Sequence, residues 1–310
     1  MSRIHEALKK AAEERSSKVA NGSVSDLVEL SGQERSTEIS PITAPAPPAS
    51  VHRKRGEARG LAFEEFANRC TPATWKFEAA ASVFSAHLNN HVGAEKFRTL
   101  RSRLYQVASA QPLKKILVTS SIPAEGKTFV TANLAQSFIR QSGRRVLLID
   151  SDLRASRLHL HLGAKATPGL SDYLTGECDE FQVTQVGSEG TLCLIPGGRE
   201  VTNPSELLHS ERMKKLLEQM SNLFDWIVLD SPPALAVHDA SILADMCDGV
   251  LFVVKAGSTD FELAEKATAE FHEKNLIGVV LNRVERSDTY GDYYYSGYGM
   301  KRSPADEDES

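Results

Sequence analysis

Six short runs of consecutive apolar residues punctuate the middle of the chain, at 116–118, 146–149, 192–195, 226–229, 250–254 and 277–281. Apolar runs of this length without alternation suit strands covered on both faces. Stretches of helical period at 127–141, 205–220 and 260–274 lie between most of them. Strand, helix, strand in this order predicts a doubly wound, mainly parallel α/β sheet, in a domain spanning residues 86–286. Within it, Phe97, Leu100, Leu104 and Val107 form one helical stripe, while Glu95, Arg98 and Arg101 are spaced by three along another. No internal repeat is present.

The flanks have other patterns. In segment 1–30, Ile4, Leu8 and Ala11 recur at i, i+4 and i+7, with Glu6, Lys9, Lys10, Glu13 and Glu14 elsewhere, predicting a short amphipathic helix. So short a helix is marginal alone. It is read either as a fraying terminus or as a docking segment. Residues 31–85 are assigned to a Pro/Ser-rich, largely disordered linker, with Pro41, Pro45, Pro47, Pro48 and the basic run His52-Arg53-Lys54-Arg55. The tail, 287–310, holds Tyr290, Tyr293, Tyr294, Tyr295 and Tyr298 among Gly291, Gly297 and Gly299, and closes on an acidic run from Asp306. Its composition argues against a buried strand.

Composition narrows the classes. The net charge of −5 gives no general pull toward nucleic acid or an anionic membrane. Cys70, Cys178, Cys193 and Cys247 lie far apart with no C-x-x-C pair, which argues against zinc or a disulfide framework and suits a reducing cytosol. The longest uncharged run, 79–94, contains His87, Asn89, Asn90 and His91 and is too polar and short to span a membrane. The opening residues show no apolar signal region. The expectation is a cytoplasmic protein that meets a membrane only through a partner.

The chemistry concentrates where strands end. After Ile116–Val118 comes Ser120-Ser-Ile-Pro-Ala-Glu-Gly-Lys-Thr128 and then a helical pattern. Gly-Lys-Thr between a strand and a helix is a phosphate-binding P-loop context, in which backbone N–H groups and the helix dipole face the phosphates. Lys127 is expected to place a charge at the β/γ oxygens and Thr128 a hydroxyl at Mg²⁺. The usual motif has glycine where this chain has Ser121, so the loop is a deviant Walker A. Two further strands end in aspartate: Asp150-Ser-Asp152-Leu-Arg154 and Asp230-Ser-Pro-Pro233. Asp150 and Asp152 are expected on one side of the strand end, one near metal and the other accepting a proton. Asp230 takes the Walker-B place. A lone strand-end aspartate merely caps the next helix, but three around a P-loop point to metal and proton transfer.

At these residues the sequence resembles the bacterial tyrosine kinases, the CpsD/CapB-like cytoplasmic autokinases of capsule and exopolysaccharide loci. Their S-x-x-P-G-E-G-K-[ST] loop is matched at 120–128 with Ala124 replacing a glycine. Their D-x-D-x-R element is matched at Asp150, Asp152 and Arg154, and their D-[ST]-P-P element at Asp230. Their E-x-x-R-x-x-R assembly element is matched at Glu95, Arg98 and Arg101, and a tyrosine cluster completes the match. The opening Ser2-Arg-Ile-His-Glu-Ala-Leu-Lys also looks like an exosortase-locus subgroup.

The resemblance implies ATP and Mg²⁺. It implies catalytic Lys127, Asp150 and Asp152. It places nucleotide contacts at Ser121, Pro123, Ala124, Glu125, Gly126, Lys127, Thr128, Phe129 and, near the adenine, Asn282. Metal contacts fall to Thr128, Asp150 and Asp230, and phosphate acceptors to the five tail tyrosines. It further implies a homo-oligomeric ring, a transmembrane polysaccharide co-polymerase or chain-length-determinant protein as activator, a cognate tyrosine phosphatase, and no nucleic acid. The location implied is the inner face of the plasma membrane. Ala124 is expected in an ordinary backbone conformation, since it lacks glycine's freedom. Ser156, where relatives often carry proline, is expected to be tolerated. The rival readings are a ParA/MinD-type ATPase switch, whose signature lysine is here Ile122, and a silent nucleotide-binding scaffold.

Overall fold

A computed structural model of the chain describes residues 62–78, 81–84, 91–188 and 190–284. The expected N-terminal helix, most of the linker and the tyrosine cluster lie outside them. Within them, chain order gives α1 (Phe63–Arg69), β1 (Thr71–Pro72), α2 (His91–Ala110), β2 (Lys115–Ser120), α3 (Lys127–Ile139), β3 (Val146–Asp150), α4 (Leu158–Leu162), α5 (Leu170–Leu174) and α6 (Glu180–Val183). Then follow β4 (Gln185–Val186), β5 (Leu192–Ile195), α7 (Pro204–Leu208), α8 (Glu211–Leu223), β6 (Trp226–Asp230), α9 (Asp239–Ala244), β7 (Gly249–Lys255), α10 (Phe261–Ala269) and β8 (Leu276–Asn282). Among the described residues, no helix is long and apolar enough to cross a membrane.

The strands form one sheet in the order β1-β4-β5-β3-β6-β2-β7-β8. Every pairing is parallel except β4 with β5. Each of the six apolar runs is a strand, and the period of two sends successive side chains to opposite faces. Leu117, Leu147, Ile149, Ile227 and Leu229 enter one core with α1, α5, α8, α9 and α10. Ile116, Val118, Val146, Leu148, Trp226 and Val228 enter the other with α2 and α3. Burial on both faces is why these runs do not alternate. On the second face Phe138 stacks flat on Trp226 at 4.3 Å, and Tyr105 meets both edge-on.

Two expectations need correction. The linker does not extend to residue 85. Phe63 and Phe66, three apart on α1, are buried and meet Phe224 edge-on at 5.3 and 6.0 Å, and Thr71 pairs with Gln185 in the sheet. A seven-residue helix and a two-residue strand are too short to show a period in sequence. The helix expected at 205–220 is two: α7 ends at Leu208, and Ser210 caps α8 by accepting from the Met213 amide. The sheet is mainly parallel as expected, with the short hairpin partner β4 running against β5.

Candidate active site

The central strands β3, β6 and β2 are neighbours, so their C-terminal ends meet at one edge of the sheet. Asp150 stands directly beside Asp230 in register, and Asp230 beside Val118. Hydrogen bonds tie the loops after β2 and β6 together: Thr119 Oγ1 donates to the Pro232 carbonyl at 3.0 Å, and the Ala234 amide to the Ser120 carbonyl at 2.8 Å. The strand ends thus form one rigid rim, the place where a doubly wound sheet collects ligands.

From that rim the P-loop runs to Gly126, the N-cap of α3, at φ +95°. A Cβ there would come within 2.0 Å of Asn282 Nδ2, so both backbone angle and space demand glycine. Asn282 donates from Nδ2 to the Glu125 carbonyl at 2.8 Å, which fastens the end of β8 to the loop. Ala124 does not take the ordinary conformation expected of it: its φ is +66°, the left-handed region that glycine fills without strain. The loop geometry is imposed by its anchors, whichever residue stands there.

Those anchors centre on Glu125, whose side chain turns inward rather than toward the loop's open side. It is 1% exposed, and its Oε2 accepts from the Ile122 amide at 2.8 Å. Its Oε1 accepts from Thr259 Oγ1 at 2.5 Å and from the Lys255 amide at 3.4 Å. The Glu125 side chain therefore shapes the loop, and only the backbone of this residue is left to face a nucleotide. Phe129 likewise packs its ring against Phe97 at 6.0 Å. Pro123 is exposed, while the Ser121 hydroxyl is buried with no hydrogen-bond partner.

Lys127 opens α3, and its ammonium lies 3.2 Å from Asp152 Oδ2, both side chains largely buried. Asp230, 1% exposed, accepts from Thr131 Oγ1 at 3.4 Å, and Thr128 lies near enough to act on its carboxyl. Burial pushes the Asp230 carboxyl up to about 7, with Asp150 and Asp152 adding to the rise against the pull of Lys127 and Thr128. Asp150 rises to about 6 through burial and the charge of Asp152, although hydrogen bonds oppose it. Asp150 Oδ2 accepts from Ser156 Oγ at 2.7 Å and the Leu158 amide at 2.9 Å. β3 ends at Asp150, so the i, i+2 rule does not carry to Asp152, yet both carboxylates act on Asp230. Asp152 turns to Lys127, and Asp150 is held by the following loop.

Among the described residues no three His, Cys, Asp or Glu side chains form a group able to hold a metal by themselves. Mg²⁺ draws most of its ligands from water and phosphate oxygens, so a hydroxyl and one or two carboxylates suffice. The donors here are all hard oxygens, and a carboxyl as uncompensated as Asp230 fits an added cation.

Glu95 and Arg98 are exposed on α2 and paired with each other. Arg101 is not part of that exposed stripe: its Nη1 donates to the Ser137 carbonyl of α3 at 2.6 Å. Several residues of the rim gave no signal in the sequence. Thr131, Thr259, Ser205 and Asp239 are brought in from other turns and helices. Ser156 was visible only as a departure from proline.

The chain matches the model of the CobQ/CobB/MinD/ParA nucleotide-binding domain over residues 116–295. It is 34% identical over 206 residues to the tyrosine-protein kinase YwqD of Bacillus subtilis, covering 65% of this chain and 86% of that protein. It is 34% identical over 211 residues to the tyrosine-protein kinase CpsD of Streptococcus agalactiae, covering 67% and 90%. Among solved structures, the kinase domain of the Escherichia coli tyrosine kinase ETK superposes with a TM-score of 0.58 at 32% identity, covering 64% of this chain and 80% of that one.

Proposed function

This chain belongs to the bacterial tyrosine-protein kinases within the CobQ/CobB/MinD/ParA nucleotide-binding family, and we propose that it transfers the terminal phosphoryl group of ATP to the tyrosines of its own C-terminal cluster. The observation that carries the reading is the rim itself: Lys127 at 3.2 Å from Asp152, beside the adjacent strand-end carboxylates Asp150 and Asp230. That arrangement supplies a phosphate-binding charge, a proton acceptor and metal donors within one loop's reach.

A tyrosine hydroxyl has a pKa near 10 and needs a base. Asp152 accepts its proton as the phenolic oxygen bonds to the γ-phosphorus and the bond to the β-phosphate oxygen breaks, releasing ADP. When the phosphates draw Lys127 to themselves, the Asp152 carboxylate is left free to face the tyrosine hydroxyl. Lys127 and the α3 amides hold the charge that builds on the leaving phosphate. Thr128 and Asp230, with Asp150 behind them, would hold Mg²⁺, which neutralises phosphate charge when bound. Glu125 and Asn282 keep the loop in shape.

The acceptors are Tyr290, Tyr293, Tyr294, Tyr295 and Tyr298. The biological role is control of capsule or exopolysaccharide assembly at the inner face of the plasma membrane. A transmembrane polysaccharide co-polymerase activates the kinase there, and a cognate phosphatase opposes it. The four-segment reading of the sequence is revised accordingly: α1 and β1 belong to the catalytic domain.

The test is incubation of the purified chain with Mg-ATP, phosphotyrosine detection and peptide mass spectrometry. Lys127→Met should label at least about a hundredfold more slowly, the scale of losing one transition-state charge contact, while melting as a folded protein. Equal labelling by a folded Lys127→Met variant sinks the site assignment.

A further inference from the structure

The turn that presents Asp152 carries a cation of its own. Arg154 is two residues further on, inside a turn in which the Ala155 amide donates back to Asp152 Oδ1 at 3.0 Å. It lies close enough for Asp152 to act on its charge. A guanidinium so placed has Asp152 as an obvious carboxylate partner, and a bidentate pair there would occupy both oxygens. The structure shows another arrangement. Arg154 Nε donates to Asp239 Oδ2 at 2.8 Å, and Nη2 to Asp239 Oδ1 at 3.4 Å and to Ser205 Oγ at 2.9 Å. Ser205 Oγ in turn donates to Asp239 Oδ1 at 2.5 Å.

The three residues come from three separate elements: the loop after β3, the first turn of α7, and the first position of α9. Asp239 is 0% exposed, whereas the Arg154 side chain is 41% exposed. A carboxylate taken fully out of water is costly unless its oxygens are satisfied. Here both are, by a fork that would otherwise be available to Asp152. Helix α9 packs on the sheet and α7 packs on α9 and α5, so the fork also anchors the turn.

We propose that Asp239 is a positioning residue for phosphoryl transfer: it holds Arg154 away from Asp152, keeping that carboxylate for Lys127 and for the tyrosine proton. The inference rests on the reading of Asp152 as proton acceptor. Asp239 touches neither nucleotide nor tyrosine; it acts through where Arg154 is not. A purely structural Asp239 would behave differently in one respect, because removing Arg154 as well could then only add damage.

The experiment uses the full chain with Mg-ATP, following the initial rate of autophosphorylation at saturating nucleotide, affinity for a fluorescent ATP analogue, and thermal melting. Asp239→Asn should lower the rate about 10- to 100-fold, the scale of a misplaced reacting group, with nucleotide affinity changed less than about threefold because Lys127 and Thr128 are untouched. Asp239→Asn combined with Arg154→Gln should then recover most of that loss. An Asp239→Asn rate equal to wild type, or a double variant no faster than the single one, overturns the proposal. Should Asp239→Asn fail to melt cooperatively, Ser205→Ala, which keeps both charges, takes its place. It should slow labelling severalfold with unchanged nucleotide affinity, and an unchanged rate overturns the proposal equally. Wild type without any phosphotyrosine would instead defeat the kinase reading. Asp152→Asn labelling at the wild-type rate would defeat the assignment of the base.

Discussion

Two neighbouring loop residues show how much a single Cβ decides. Gly126 and Ala124 both have positive φ, +95° and +66°, yet only the first is glycine. At Gly126 the angle and the amide of Asn282 together exclude any side chain. Ala124 is exposed, so only the backbone term counts against it. Left-handed backbone costs an L-residue roughly 1–2 kcal/mol, while glycine gives back about 0.5–1 kcal/mol through its freer unfolded chain. Strain therefore exceeds entropy, and Ala124→Gly should stabilise the fold by about 0.5–1 kcal/mol. For a domain of this size that is a rise in melting temperature of about 1–4 °C. A lower melting temperature in the variant would show that the loop relaxes around alanine at no cost. At this scale the sequence spoke clearly about Lys127, Thr128 and Asp230, because chemistry and chain position coincide there. For Glu125 it gave the place in the motif but not the inward direction of the side chain. It was silent on Asp239 and Thr259, which reach the rim only through folding.

Elements were legible in proportion to their length and burial. The six apolar runs are strands because nothing else of that length can be buried on both faces in an α/β layer. By contrast β1, β4 and α1 are too short for any period to register, and their stability comes from docking rather than propensity. Helix α1 shows this directly. It is capped by no side chain at its N-terminus, yet Phe66 is 1% exposed and sits between Phe181 at 5.4 Å and Phe224 at 6.0 Å. Phe66→Ala should cost about 3–5 kcal/mol, the usual loss for an aromatic side chain removed from a core. That is a large part of the ~5–15 kcal/mol that holds a domain together. Glu65→Ala, on the exposed side of the same helix, should stay within about 0.5 kcal/mol. Urea titration of both variants measures the difference. A Phe66→Ala loss below about 1 kcal/mol would mean that α1 contributes little, and would return the domain boundary to residue 86.

At the scale of the whole molecule the question is which active site a tail enters. Strand β8 ends at Asn282, held against the P-loop, and the first tail tyrosine follows eight residues later, at 290. Eight extended residues span at most about 28 Å, so reach alone permits a chain to meet its own site. We propose that it meets a neighbour's. Glu95 and Arg98 are exposed and offer charges to a second copy, whereas Arg101 is committed to Ser137 within its own chain. Glu95→Ala with Arg98→Ala should therefore weaken assembly, while Arg101→Ala should mainly lower the melting temperature. The decisive measurement mixes a Lys127→Met chain carrying the full tail with an active chain ending at residue 286. Transfer between copies labels the Lys127→Met chain at a rate rising with the concentration of the active one, and the Glu95/Arg98 variant of the active chain slows it. Each phosphate adds about −1.5 to −2 charges. Several within 290–298, beside the acidic end, repel one another and the Asp150–Asp152–Asp230 rim. Labelled tails should then leave the neighbour's site, and light scattering on the same sample should fall as phosphate accumulates. No label on the Lys127→Met chain at any concentration would place the reaction within one copy. Heavy tail labelling with undiminished scattering would show that phosphate leaves the assembly intact.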